Sequence, residues 1–562
     1  MTSQTDSPAP AARRPFSAGS QATPAILAKF AEFGPKYRVL AVVTAMLGTL
    51  ATLLPATIVN VVIPEIMGAF GIGQDKAQWL ATGFLASSTI TMLANSWMVH
   101  SFGVRFTFVT SLSVFLLGSI AGMFAPNEDI LIGIRVFQGA AAGIMTPLTM
   151  IIMFQVFPPE QRGRAMGIFA MGAVMAPALG PSIGGLVIDT LGWRYIFFLE
   201  LPGLFAAIAM GSIFLIDREA TGPREKFDWT GLILIATFVS TLLIGLTEGQ
   251  EKGWHENYVL FCLITSGVSI VSFIIWELLN PHPLLQLRVF LQPSFAPAAF
   301  VMFIFGGGLY GSTYLGPLFM QTVQGSTALS AGLLLMPPGL VMLFVFPVAG
   351  MMSDRLTPTL PMVIGLLLFS LSCYLLTGLD LNAPFVTVTI WIMIGRCGLG
   401  MCMPSLTAAS MGSMPMHLIA QASGTNNFVR QLGGAFGVNL ASVLLSQRTN
   451  FFLDAMTATQ TAANTATLEL IDKMSGAFDM AGLTELTQEQ VSLFYLGRMI
   501  YAQAYMLAFR DVFLIMTFVF LLAILPALLV RRRKPPEAQP APPQALPPDA
   551  RMGLPAPAAA GE

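Results

Sequence analysis

Few residues in this chain could do chemistry inside an apolar environment, and they can be named one by one. Arg135 sits in the run LIGIRVFQGAAAG with Gln138 three residues later, and Glu200 stands in FLELPG. Arg396 opens RCGLG, Asn426 and Arg430 lie in NNFVRQLGGAFG, and Asn60 lies in TIVNVVIP. A cation at the centre of a bilayer-crossing segment costs about 2.5–3.5 kcal/mol on insertion scales. Each arginine therefore needs a carboxylate, backbone carbonyls freed by proline or glycine, or a water-filled cavity. Such groups bind and carry charge; they do not make a covalent catalyst. No nucleophile–base pair, phosphate loop or metal-ligand spacing accompanies them, so no enzyme, cofactor or metal is expected.

The elements that must position these side chains are membrane spans. Of the 562 residues, 55% are hydrophobic and only 10% charged, against about 25% charged in an average soluble domain. The net charge of −1 gives no basic field for nucleic acid. Cys262, Cys373, Cys397 and Cys402 lie in apolar stretches and read as packing residues. A ruler of about 20 mainly apolar residues per span gives fourteen segments. They fall near 38–62, 77–98, 105–125, 129–156, 163–188, 196–216, 229–247, 258–278, 296–321, 331–352, 360–379, 385–412, 420–446 and 510–530. Lys36, Arg38, Arg105, Arg162, Arg164, Arg218, Arg224, Arg288, Arg355 and the Arg531–Lys534 run fall on one side of these spans. Lys76, Arg194, Lys252 and Lys473 fall on the other. The positive-inside rule then places both termini in the cytoplasm.

The chain repeats itself. RVFQG, from Arg135, has a counterpart in RCGLG, from Arg396; GRAMG, from Gly163, has one in AQASG, from Ala420; MVHSFGVR has one in GMMSDRLT. The fold expected is an all-α membrane protein of two six-helix bundles with two inserted helices, fourteen transmembrane helices in all. Its divisions are a disordered N-terminus over 1–37, a bundle over 38–216, a linker with two extra helices over 217–278, a second bundle over 279–532, and a disordered tail over 533–562. An extracytoplasmic loop is expected at about 447–505, where no apolar run reaches span length.

These residues resemble the major facilitator superfamily, and within it the fourteen-helix drug:proton antiporter branch, over about 38–530. APALGPSIGG in the fifth span matches the antiporter signature G-x-x-x-G-P-x-x-G-G through Gly180, Pro181, Gly184 and Gly185, with Ala176 at the first glycine. TIVNVVIP, LIGIRVFQG, NNFVRQLGGAFG and QAYMLAFRDVF are similar to further motifs of the branch. The resemblance implies that Arg135 is tied to proton coupling and that a gate lies between the second and third spans, with a copy in the second half. In that copy Gly350, Asp354 and Arg355 keep the family pattern.

The sequence departs from the branch in two places. The usual acid of the first span is replaced by Pro55, and the first gate reads SWMVHSFGVR, with His100 at the aspartate position and only Gly103 and Arg105 kept. Glu200, where the branch more often has asparagine, is the leading candidate to carry the proton in its place. Asn60, Gln138, Asn426, Arg396 and Arg430 are candidates for the substrate cavity. His100 offers either a pH-sensitive gate or a relaxed loop position.

The function expected is proton-coupled export of small amphipathic compounds across a bacterial inner membrane by alternating access. The partners implied are a small-molecule substrate, protons and the lipid bilayer, with a periplasmic adaptor and outer-membrane channel as candidates at the 447–505 segment. Two alternatives stay open: an importer or facilitator of an organic anion, favoured by the three arginines, and a non-transporting receptor with the same fold.

Overall fold

The structure is a computed structural model that describes residues 24–72, 74–77, 79–158, 161–216, 226–326, 328–412, 414, 416–460, 464–480 and 485–530. Among these residues there is no strand. The helices are α1 (Pro24–Phe33), α2 (Lys36–Phe70), α3 (Gln74–Ala77), α4 (Trp79–Phe102), α5 (Val104–Met123), α6 (Glu128–Val156), α7 (Arg162–Leu191), α8 (Tyr195–Phe214) and α9 (Trp229–Glu251). They continue as α10 (Asn257–Leu279), α11 (Phe295–Thr322), α12 (Ala328–Arg355), α13 (Thr359–Leu376), α14 (Phe385–Gly412), α15 (Met416–Thr457), α16 (Thr465–Met480), α17 (Glu485–Leu522) and α18 (Ile524–Leu529). Fourteen of these have 18 residues or more, and 12 are long and apolar enough to cross a membrane. The remaining two are α4 and α7. In α4 the cause is plain, because Ser87, Ser88, Thr89, Thr91, Asn95 and Ser96 dilute its hydropathy on a helix whose neighbours are other helices.

Helix packing repeats along the chain. In the first half α2 packs on α7 and α8, α4 on α6, and α5 on α6 and α8; in the second half α11 packs on α15 and α17, α12 on α14, and α13 on α14 and α17. The halves meet where α7 packs on α12 and where α4 packs on α15. The pair α9 and α10 has no counterpart; it packs on itself and sets α9 against α4 and α15.

Close approach of helices rests on small residues. In QGAAAG, a methyl group on Gly139 would lie 2.3 Å from the Phe84 carbonyl oxygen, and one on Gly143 would lie 2.1 Å from that of Ser88. Both contacts are backbone, so α6 and α4 touch along this stripe as no other residue would allow.

Two sequence expectations are corrected. Residues 24–33, expected to be disordered, form α1, because Ile26, Phe30 and Phe33 make an apolar face that covers Tyr37 and Phe214. The 447–505 segment, expected as a loop, is helical over most of its described residues: α15 runs on to Thr457, α16 packs on α17, and α17 starts at Glu485, while residues 461–463 and 481–484 lie outside the described ones. At 1.5 Å per residue the 42 residues of α15 reach about 63 Å, roughly twice the hydrocarbon thickness. The extension is helical without being span-like, which a hydropathy ruler cannot detect. Arg448 and Asp511 join α15 to α17 by an ion pair of 3.3 Å. Residues 1–23 and 533–562 lie outside the described residues.

Candidate functional site: a buried charge network and a cavity

Arg135 on α6 is 1% exposed, Gln138 on the same helix 0%, and Glu200 on α8 5%. They form one network. Arg135 Nη1 donates to Gln138 Oε1 at 2.9 Å, and Gln138 Nε2 donates to Ser119 Oγ at 2.9 Å and to Glu200 Oε2 at 3.4 Å. Ser119, on α5, donates its hydroxyl to Glu200 Oε2. The guanidinium also lies 4.3 Å from the centre of the Phe84 ring, and its Nε donates to the Leu80 carbonyl at 3.4 Å. Arg135 and Glu200 are not in ion-pair contact; an amide and a hydroxyl carry the field between them. Arg135 Nη2 and Glu200 Oε1 have no hydrogen-bond partner among the described residues, so the cluster keeps spare capacity to donate and to accept.

The three arginines do not share a site. Arg396, the repeat counterpart of Arg135, is 7% exposed and donates to Thr313 Oγ1 at 2.6 Å. Leu399 stands where the first half has Gln138, so the relay cannot form there. Arg430 donates to Asn427 Oδ1 at 3.3 Å, and Asn427 Nδ2 reaches Met150 Sδ at 2.9 Å. Asn426 is buried, and its Oδ1 has no hydrogen-bond partner among the described residues. Neither Arg396 nor Arg430 forms an ion pair among the described residues.

At the end of the molecule carrying the start of α2 and the end of α18, the halves are sealed. Asp354 Oδ1 accepts from the Gly163 amide at 2.7 Å and Oδ2 from that of Arg164 at 2.8 Å. These are first-turn N–H groups of α7, which lack intrahelical partners and bear the positive end of the helix dipole. Gly163 and Gly350 make this approach possible, since a methyl on either would fall within 2.5 Å of the other's carbonyl oxygen. Arg355 is exposed beside it.

The other copy of the gate retains half of this contact. Gly424 faces the Met92 carbonyl as Gly167 faces that of Phe346, but Ala420, Ser96 and His100 replace Gly163, Gly350 and Asp354. Since α15 starts at Met416, the Ala420 amide is already inside the helix and an acid at position 100 would find no free donor. His100 is exposed and its Nδ1 lies 2.8 Å from the Ser96 carbonyl of its own helix. Gly103 takes φ 86° in the turn to α5, where Arg105 N donates to the Ile216 carbonyl.

Between the halves lies a cavity of about 410 Å³. Its walls are α4, α9, α11 and α15, and its polar groups include Thr89, Tyr310, Tyr314 and Gln431. Gln431 Nε2 donates to Ser88 Oγ at 3.2 Å, tying α15 to α4 beside it. Below that tie Ser423 donates to the Pro147 carbonyl at 2.9 Å. Gln138, Asn426, Arg396 and Arg430, expected at a substrate cavity, do not line this one. In the fifth-span motif Gly180 and Gly184 are buried, and Gly184 abuts Ile58 of α2. The side chains of Asn60 and Pro181 and the surroundings of Gly185 lie outside the described residues.

Ser119, Tyr310, Tyr314 and Gln431 were not singled out from the sequence. Gly118, beside Ser119 on α5, makes room for Gln138: a methyl on that glycine would meet Gln138 Cγ at 2.8 Å.

Comparison with known proteins accords with this architecture. The sequence profile of the Major Facilitator Superfamily matches residues 45–438. The multidrug resistance protein B homolog of Mycobacterium tuberculosis (strain ATCC 25618 / H37Rv) is 31% identical over 399 residues, 70% of this chain and 74% of the relative. The multidrug export protein EmrB of Haemophilus influenzae (strain ATCC 51907 / DSM 11121 / KW20 / Rd) is 28% identical over 410 residues, 72% and 79%. The fold is also that of the human organic anion transporter MFSD10, with a TM-score of 0.55 at 13% identity, covering 86% of this chain and 99% of that one. This chain belongs to the Major Facilitator Superfamily and is a multi-pass membrane transporter whose relatives include multidrug efflux proteins.

Proposed function

We propose that this transporter exports small amphipathic compounds in exchange for protons, with Glu200 as the group that takes up and releases the proton. The observation that carries this reading is the buried network of Arg135, Gln138, Ser119 and Glu200 in a chain that has Pro55 where the branch has its first-span acid. Loss of a proton from Glu200 restores an acceptor for Ser119 and Gln138; gain of one weakens both bonds. The movement this drives has a route. Gln138 adjoins Gly139, Gly139 rests on the α4 backbone at Phe84, and α4 presents Leu85 and Thr89 to the cavity. One helix therefore has the charge network on one face and the cavity on the other.

The seal at Asp354, with the cavity lying beyond the tie of Gln431 to Ser88, supports an outward-facing state of an alternating-access cycle. In this reading all fourteen long helices span a bacterial inner membrane, both termini are cytoplasmic, and two six-helix bundles flank the inserted pair. The helical extensions of α15 and α17, with α16, project on the outer side. They offer a docking surface for a periplasmic adaptor that leads to an outer-membrane channel.

A second reading draws on Arg396, whose partner Thr313 is neutral: a facilitator of an organic anion would keep such a charge. Direction separates the two. Inverted vesicles energised with a proton gradient should accumulate members of a panel of lipophilic cations, weak acids and antibiotics, and lose them on addition of a protonophore. Accumulation of an organic anion in right-side-out vesicles alone would overturn the export reading.

A further inference from the structure

We propose that the cavity walled by α4, α9, α11 and α15 is a binding site for an uncharged, ring-bearing amphipath, and that the inserted helix α9 is part of it. The proposal rests on the reading of the chain as an exporter of small amphipathic compounds and adds the charge class of the ligand and an element of its site.

The cavity's size is the first argument. About 410 Å³ lies in the range of roughly 300–1,000 Å³ over which proteins enclose drug-sized ligands. Its chemistry is the second. No Asp, Glu, Lys, Arg or His is among its described lining residues. A charged ligand would give up its hydration without a counter-charge in return, which is costly in a low-dielectric site. The buried charges are held elsewhere: Arg135 is bonded to Leu80 of α4 and Gln138 of α6, Glu200 to Ser119 of α5 and Gln138 of α6, and neither lines the cavity.

The lining fits rings and hydrogen bonds. Tyr310 and Tyr314 are one helical turn apart and share a face of α11. The Tyr310 ring lies against α15 where a methyl on Gly434 would fall 2.3 Å from Cδ2, so the glycine makes room for the ring at the cavity wall. Aromatic faces bind flat apolar groups while the phenolic oxygens bond polar ones. Thr82, Thr89 and Gln431 add neutral donors and acceptors.

The third argument is the wall itself. Val239, Leu242 and Leu243 of α9 line the cavity, and Val239 and Leu242 are also buried in a cluster with Leu93 of α4 and Phe428 of α15. Helix α9 thus covers the seam between the halves on this side. The inserted pair, which has no place in the six-helix repeat, contributes a surface that the repeat lacks.

Full-length protein in lipid nanodiscs, without a proton gradient, tests this. Nile red, which is uncharged, should bind saturably, and Leu243→Trp should weaken it by about tenfold or more, as expected when a bulky group fills a site. Ile233→Trp, on the exposed face of α9, should leave binding unchanged. Ethidium, a permanent cation, and anilinonaphthalene sulfonate, an anion, should not compete. Since the tryptophan variant could fail for reasons of folding, Leu243→Cys supplies a milder reporter. Bound Nile red should slow its alkylation by N-ethylmaleimide, read by peptide mass, and leave that of Ile233→Cys unchanged. Equal binding in Leu243→Trp without protection of Leu243→Cys would overturn the site. Protection by ethidium or the sulfonate as strong as by Nile red would overturn the charge class. A protein that binds Nile red in this way but moves no protons would overturn the coupled-export reading alone.

Discussion

Arg135 and Glu200 are joined through Gln138 rather than in direct contact: the guanidinium donates to the amide oxygen at 2.9 Å, and the amide nitrogen donates to the carboxyl at 3.4 Å. An ion pair locked face to face would hold its acid in one protonation state. An amide between the two lets each keep a partner while the carboxyl gains or loses a proton.

Replacing the bridge should therefore harm both ends. Gln138→Leu keeps the volume approximately but strands the guanidinium and removes a donor from Glu200. Stability in detergent, followed by thermal unfolding, should fall by about 1–3 kcal/mol, the range for leaving buried polar groups unpaired. Substrate-driven proton flux should fall further than stability does. Gln138→Glu, which restores an acceptor for Arg135 while adding a second acid, should recover stability more than flux.

Close contact of α4 and α6 depends on glycine at 139 and 143. Gly143→Val should lower the unfolding temperature, because the Ser88 carbonyl it meets at 2.1 Å is backbone and cannot turn aside; overpacking of this kind costs about 1–3 kcal/mol. Gly133→Ala, on the same helix with open space around it, should be neutral or slightly stabilising by up to about 1 kcal/mol. Thermal melts of the two variants side by side check the contrast.

At the seal, Asp354→Ala removes the acceptor of two helix-end amides. The closed arrangement should weaken by about 1–3 kcal/mol, which moves a two-state population by roughly 5- to 150-fold. A cysteine introduced as Ser423→Cys, now buried at the Pro147 carbonyl, should then react faster with a maleimide. By contrast, His100→Ala should leave both that labelling rate and the pH profile of transport unchanged, since among the described residues His100 bonds only Ser96 of its own helix and the Ala420 amide is not free to receive an acid.

Much of this arrangement was legible in the residues. The repeat read from RVFQG and RCGLG recurs in the packing of helix pairs, because duplicated spans bury the same faces. Arg135 stands out as a cation in an apolar run, Gln138 and Glu200 through the resemblance to the antiporter branch, and the fold brings the three together. Their neighbour Ser119 was not found, because one hydroxyl in an apolar span has no distinguishing signal until the facing helix is known. Arg396 repeats the motif of Arg135 without its partners, a difference set by Leu399 and by which helix faces it. The helices of the 447–505 segment carry no hydropathy signal because their residues are too polar for a span-length apolar run. The cavity was invisible for a related reason: Tyr310, Gln431 and Leu243 are far apart in sequence, and only the docking of α9 across the seam makes them neighbours.

The central claim is that the coupling acid is Glu200 in α8. The most direct test is dissipation of a proton gradient in inverted membrane vesicles when a transported compound is added, comparing the wild type with Glu200→Gln and Arg135→Ala. Glutamine keeps the hydrogen bonds to Ser119 and Gln138 but cannot exchange a proton. The account predicts substrate-dependent flux in the wild type and none above empty vesicles in either variant, with Glu200→Gln still binding the compound. Undiminished flux in Glu200→Gln would contradict it and leave the network as a structural support for Arg135.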